Sequence, residues 1–184
     1  FINPEPNYQT IRINLLGKTG KLYYEVTCDT NTSIIVGWSA EIALKSQDNF
    51  GRDDVAYGID LTASTPLLLW GGFHSDQSKS NIACLNVGDV IGVLLDYDSG
   101  SMSFSVNGLM LPGMTFTSLN HGRKPPAHLL QSAGGVIRDS LAAPDWDSGF
   151  YPTIRLGSDD KVTVNVGQEQ FRHQPENYRS ILQA

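Results

Sequence analysis

Apolar and polar positions alternate in short runs along most of this chain, and helical periodicity is nearly absent. The pattern is clearest from Gly88 to Gly108. Val90–Leu95 is an apolar run of strand length. Met102, Phe104 and Val106 then alternate with Ser101, Ser103 and Ser105, the period of a half-buried strand. Asp98-Ser99-Gly100 between them is turn chemistry, an acid to bond its own backbone and a glycine for positive φ. Asn107-Gly108 is a second turn signal. Similar runs predict strands at Thr10–Leu16, Leu22–Asp29, Ser33–Ser39, Ala56–Asp60, Pro66–Trp70, Val90–Asp96, Met102–Val106, Met114–Phe116, Tyr151–Leu156 and Lys161–Val166. Gly17-Lys18-Thr19-Gly20, Asp29–Thr32 and Gly157–Asp160 separate several of them, the first as a hairpin turn. Many short strands so punctuated argue for an all-β sandwich.

The same alternation assigns faces. Tyr24, Val26 and Cys28 share one side of their strand, and Tyr23, Glu25 and Thr27 the other; Ile34, Val36 and Trp38 also share a side. Gly37 and Gly92 lie inside strands, which predicts close approach of a backbone or a ring. Glu25 is either buried and hydrogen-bonded or solvent-facing; the pattern leaves both open.

Residues Asn120–Ser148 break the pattern with three prolines, three glycines and mildly helical stretches at Ala127–Ala133 and Ile137–Ala142. So long a loop is a surface insertion or a partner-binding excursion, and Trp146 argues for an anchored base. Glu169–Tyr178 is expected to close the fold, with a short helix possible at its end.

Composition narrows the function classes. The 184 residues suit one domain. The net charge is −6 with no cluster of Lys or Arg, which excludes nucleic acid and anionic membrane as natural partners. No apolar run approaches the ~20 residues of a membrane span. Cys28 and Cys84 are expected to be core thiols of a reduced, intracellular and cytoplasmic setting, a bridge being the minority reading. Asn31-Thr32-Ser33 is a glycosylation sequon of little weight. A chain that starts at Phe1 is expected to be a piece of a longer protein. Asp96-Tyr97-Asp98 lacks the later glycine and glutamate of a calcium loop. Gly17-Lys18-Thr19 lacks the earlier glycine of a phosphate loop. His74, His121, His128 and His173 have no ligand spacing, and Phe73-His74-Ser75-Asp76 is expected to be a surface loop, not a triad. No catalytic residue, metal or cofactor is expected. Carbohydrate hydrolysis by paired acids from Asp53, Asp54, Asp159 and Asp160 is the outlying enzymatic alternative.

Six blocks in order resemble the SPRY (B30.2-like) domain family: Leu22-Tyr23-Tyr24-Glu25-Val26, Val36-Gly37-Trp38-Ser39, Tyr57-Gly58-Ile59-Asp60, Gly88–Gly92 with Leu95–Asp98 and Phe104–Gly108, Phe150-Tyr151-Pro152, and Val164–Gly167. They span about Tyr8 to Gly167. The resemblance implies a bent sandwich of two antiparallel sheets, here with a long loop insertion at 120–148 and a C-terminal segment at 168–184. No leading PRY segment is present, so the chain looks like a SPRY domain and not a full B30.2 unit. The family includes ubiquitin-ligase substrate receptors, ion-channel domains and chromatin-complex subunits.

The resemblance also implies a monomeric, non-enzymatic module that binds a peptide or loop of a partner protein through loops at one edge, as in adaptors. Arg12 matches an arginine that contacts acidic peptide in adaptor-type members, and Asn31 and Thr32 occupy the following loop. Phe50 and Arg52 fall in the variable loop before Tyr57. Gly157, Ser158 and Asp159 fall in a loop that carries aromatic and glycine contacts in adaptors, and the aromatic is absent here. Chemically, Arg12 and Arg52 offer bidentate pairing to a carboxylate and Phe50 an anchor, unless the arginines pair internally. The alternative is a structural packing domain inside a large assembly or channel-type protein, marked by a large exposed apolar patch.

Overall fold

The structure is a computed structural model that describes residues 8–31, 33–40, 50, 56–62, 65–70, 73–74, 85–117, 119 and 146–184. Twelve strands are assigned among them: β1 (Tyr8–Arg12), β2 (Lys21–Cys28), β3 (Ile34–Ser39), β4 (Ala56–Asp60), β5 (Leu67–Trp70), β6 (Phe73–His74), β7 (Val90–Asp96), β8 (Ser101–Val106), β9 (Leu109–Phe116), β10 (Tyr151–Gly157), β11 (Val162–Asn165) and β12 (Arg179–Ser180). One sheet runs β1-β10-β3-β4-β5-β6 and the other β11-β2-β7-β8-β9, with antiparallel pairing throughout; β12 adds a short parallel pair on β2. The expected all-β sandwich of two antiparallel sheets is what forms.

The predicted faces explain the core. Tyr24, Val26, Ile34, Val36, Trp38, Ile59, Ile91, Val93, Met102, Phe104 and Ile154 line the two inner faces and are essentially inaccessible. Each large side chain so buried contributes about 1.5–3 kcal/mol. Tyr24 stacks edge-on against Trp38 at 5.1 Å and donates its hydroxyl to the Gly37 carbonyl at 2.6 Å. The interior glycines mark close approaches: a Cβ on Gly37 falls 2.0 Å from the Tyr57 carbonyl oxygen, and one on Gly92 falls 2.4 Å from the Ser105 hydroxyl.

Several local expectations change. Gly17–Gly20 is not a hairpin turn, because β1 and β2 belong to different sheets. In the β7–β8 turn the acid that accepts backbone N–H groups is Asp96, from Asp98 at 2.9 Å and Ser99 at 3.1 Å. Asn107 and Gly108 both take positive φ, and Val106 pairs with Leu109 across them. Strand β9 therefore starts at Leu109, earlier than expected, since Pro112 and Gly113 disguise its middle. Phe73–His74 is a short edge strand, not a loop. Glu169–Tyr178 carries no helix; the one short 3-10 turn nearby is Ile181–Gln183. Cys28 is fully buried; Cys84, and the helical stretches expected at 127–133 and 137–142, lie outside the described residues.

Both ends of the insertion sit against the same β7–β8 turn. The Leu119 N–H donates to the Gly100 carbonyl at 2.9 Å, and Trp146 stacks on Tyr97 at 4.9 Å and on Phe150 at 5.2 Å. Trp146 anchors the base, as its composition indicated. Replacing residues 120–145 by a Gly-Ser linker of about six residues is expected to raise stability by about 1 kcal/mol, because closing a shorter loop costs less entropy. Urea unfolding checks this, and loss of cooperative unfolding contradicts it.

Glu25 resolves to the buried alternative. Its carboxylate is 2% exposed and accepts from the Tyr23 hydroxyl at 3.0 Å and from the backbone N–H groups of Arg172 at 3.0 Å and His173 at 2.7 Å. Phe171 meets Tyr23 edge-on at 5.0 Å, and Ile181 enters the core. Residues 168–184 thus strap the outer face of the second sheet. Burial, and then the Glu25 charge and hydrogen bond, hold the Tyr23 phenol far above its ordinary pKa. Glu25→Ala is expected to lower stability by about 3 kcal/mol in urea unfolding. It should also expose the Arg172 and His173 amides to hydrogen exchange, whereas unchanged protection there contradicts the strap.

Candidate functional site

Two crossings between the sheets lie side by side at one end of the sandwich. The loop after β2 carries Asp29–Ser33, and the turn after β10 carries Gly157–Lys161. The Asp29 N–H donates to the Lys161 carbonyl at 3.0 Å, the Lys161 N–H to the Thr30 hydroxyl at 3.0 Å, and the Thr163 hydroxyl to the Asp29 carboxylate at 2.8 Å. Asp160 closes its own turn by accepting from the Gly157 N–H at 3.0 Å. Short polar side chains that bond nearby backbone stiffen such loops. Asn31, Ser158 and Asp159 are left exposed on this tied rim, beside Gly157.

The rim continues onto the second sheet. The Gly88 N–H donates to the Cys28 carbonyl, and the Asp89 carboxylate accepts from the Asn107 side-chain amide at 2.8 Å and the Asn86 N–H at 2.7 Å. These bonds, the one from Asn107 first, hold the Asp89 carboxyl below its ordinary pKa. Val87, Leu109 and Met110 are exposed next to this junction.

From the rim, a strip of paired rings and cations runs along the outer face of the first sheet. Strand β1 reads Tyr8-Gln9-Thr10-Ile11-Arg12 and β10 reads Tyr151-Pro152-Thr153-Ile154-Arg155. They pair antiparallel, with Thr10 opposite Arg155 and Arg12 opposite Thr153. The shared Tyr-x-Thr-Ile-Arg pattern therefore lays each arginine over the other strand's tyrosine: Arg12 lies 4.3 Å from the Tyr151 ring centre and Arg155 lies 4.5 Å from that of Tyr8. Among the described residues no carboxylate pairs with either guanidinium; the salt bridge found there is Lys21–Asp96. The Thr10 hydroxyl, Arg12 Nη1 and Arg155 Nε are buried without hydrogen-bond partners. Farther along the same sheet, Ser39 and Thr153 share a hydroxyl hydrogen bond of 2.6 Å.

The expected site residues thus divide. Asn31, Gly157, Ser158 and Asp159 come together on the rim. Arg12 stands about 13 Å along β1 from the rim end of the strand, joined to it by the strip. Phe50 is corrected as an anchor: it is 3% exposed and packed with Ile35, Ala56 and Leu69, its ring over Gly58, so it supports the sheet and presents no surface. Thr32 and Arg52 lie outside the described residues. Tyr8, Tyr151 and Arg155 were not anticipated, although the repeated Tyr-x-Thr-Ile-Arg pattern was the signal for them; β1 runs Tyr8–Arg12 where Thr10–Leu16 was expected.

A family model for the SPRY domain matches residues 21–137, well over half of the chain. The chain belongs to the SPRY domain family. SPRY domains are protein-interaction modules and generally non-catalytic. In this SPRY domain the first sheet draws on strands outside the matched residues, since β1 precedes them and β10 follows them. The tyrosine–arginine strip is built from those two strands alone. No helix among the described residues is long and apolar enough to cross a membrane, and no cluster of three or more His, Cys, Asp or Glu among them is placed to hold a metal ion.

The depressed pKa of Asp89 fixes the sign of an acid effect. Its stabilising contribution is complete above the unfolded carboxyl value of about 3.9 and is lost as pH falls through the lower folded value. The difference in urea midpoint between wild type and Asp89→Asn is expected to be constant at neutral pH and to shrink below about pH 4. A difference that does not change with pH contradicts the assignment.

Proposed function

We propose that this SPRY domain is a non-enzymatic module that takes a peptide or loop of a partner protein on the rim formed by Asn31, Gly157, Ser158 and Asp159 and on the adjoining strip that includes Arg12, with Thr32 carried as a contact from the sequence. It acts as a monomer within a larger intracellular, cytoplasmic protein such as a ubiquitin-ligase component or adaptor. The observation that carries this reading is the cross-tying of the two loops through Asp29, Thr30, Lys161 and Thr163. A surface ordered before binding loses less entropy on association. The polar rim lacks an aromatic between Gly157 and Asp159, so its peptide preference differs from that of the adaptor-type members.

A second reading is a packing domain within a large assembly, favoured by the exposure of Leu109 at 75% together with Val87 and Met110. Affinity capture separates the two. Partners lost with Asn31→Arg/Asp159→Arg and kept with Leu109→Ser/Met110→Ser are expected. The reverse pattern supports the packing role and contradicts the rim.

A further inference from the structure

We propose that Arg12 and Arg155 together form a double carboxylate receptor that reads an extended acidic segment with its acids on one face. This rests on the interaction-module reading and names the chemistry its partner must carry.

The two arginines are related by the approximate twofold symmetry of two antiparallel strands with the same pattern. Each guanidinium is fixed by a tyrosine ring and not by an acid, which holds the fork in place while leaving its charge unneutralised. Among the described residues, Asp60 on β4 is an acid placed on the same sheet face, and its carboxylate is engaged by the Thr62 N–H at 2.8 Å. In a chain of net charge −6, two cations side by side with no carboxylate partner among the described residues are a local inversion of sign. Their unpartnered Nη1 and Nε atoms and the Thr10 hydroxyl are donors of the kind folds keep where a ligand completes them. Guanidinium forks match carboxylates bidentately.

The spacing sets the ligand. Arg12 and Arg155 are diagonal neighbours, about 7–8 Å apart at the backbone, and each leans outward over its tyrosine. The charges therefore stand about 7–13 Å apart, the span of two to four residues of extended chain. Successive extended residues point to opposite faces. Acids separated by an even number of positions, Glu-x-Glu or Glu-x-x-x-Glu, reach both arginines, and Glu-x-x-Glu reaches one.

The test is fluorescence anisotropy of the full chain with fluorescein-labelled Ala/Ser peptides carrying these three spacings. One even-spaced peptide is expected to bind at least about tenfold more tightly than Glu-x-x-Glu, with affinity falling as salt rises. Arg155→Gln and Arg12→Gln should each remove that advantage. Arg155→Lys, which keeps the charge and loses the fork, should weaken it in a chain whose urea midpoint is unchanged. Equal binding at all spacings, no binding of any acidic peptide, or binding indifferent to Arg155→Gln overturns the receptor. The rim reading fails separately, by the capture experiment, since those variants leave both arginines intact.

Discussion

The pairing of β10 with β1 on one side and β3 on the other is the constraint on which the rest depends. β10 comes late in the chain, after the long insertion, yet it lies inside the first sheet. Without it β1 has no partner, and Val36 and Trp38 lose the neighbour that completes their layer. Pro152 is tolerated in so central a strand because its carbonyl accepts from the Ile13 N–H, beyond the end of β1. Its donorless nitrogen points to that same side, where β1 has already ended. The strand's first residues also fix the base of the insertion, since the Gly17–Phe150 bridge and the Trp146–Phe150 stack lie just before it.

The two outer faces are treated differently. On the second sheet, the C-terminal segment covers Tyr23 and Glu25, and a buried carboxylate with three donors holds it down. A buried charge so satisfied fixes the strap's register, because any slip leaves it unpaired. On the first sheet no such strap is described over β1 and β10, and their cations are stacked without acids. One face is closed by internal pairing; on the other, Arg12 and Arg155 have no carboxylate partner among the described residues. The strap gives the second sheet its structural closure.

Much of this was legible in the chain. Period-two alternation located most strands and assigned Tyr24, Val26, Ile34, Val36 and Trp38 to the interior, because a sandwich buries alternate residues. Gly37 and Gly92 signalled close approaches that the structure contains. What alternation does not encode is pairing across sequence distance. The partner of β1 lies far along the chain, beyond the long insertion, so Arg12 gave no hint that Tyr151 stacks beneath it. Phe50 misled because hydrophobicity in a loop marks an anchor or a cover equally well, and here the Phe50 ring packs over Gly58. Glu25 was ambiguous because its donors, the amides of Arg172 and His173, are backbone groups with no sequence signature.

Native-state hydrogen exchange of the β10 amides, compared with those of β2 and β7, tests the central claim most directly. If β10 closes the first sheet and positions the strip, its amides exchange only through global unfolding, with the same protection as the strands of the second sheet. Exchange of Tyr151–Gly157 through a low-energy local opening, while β3 stays fully protected, would contradict the account.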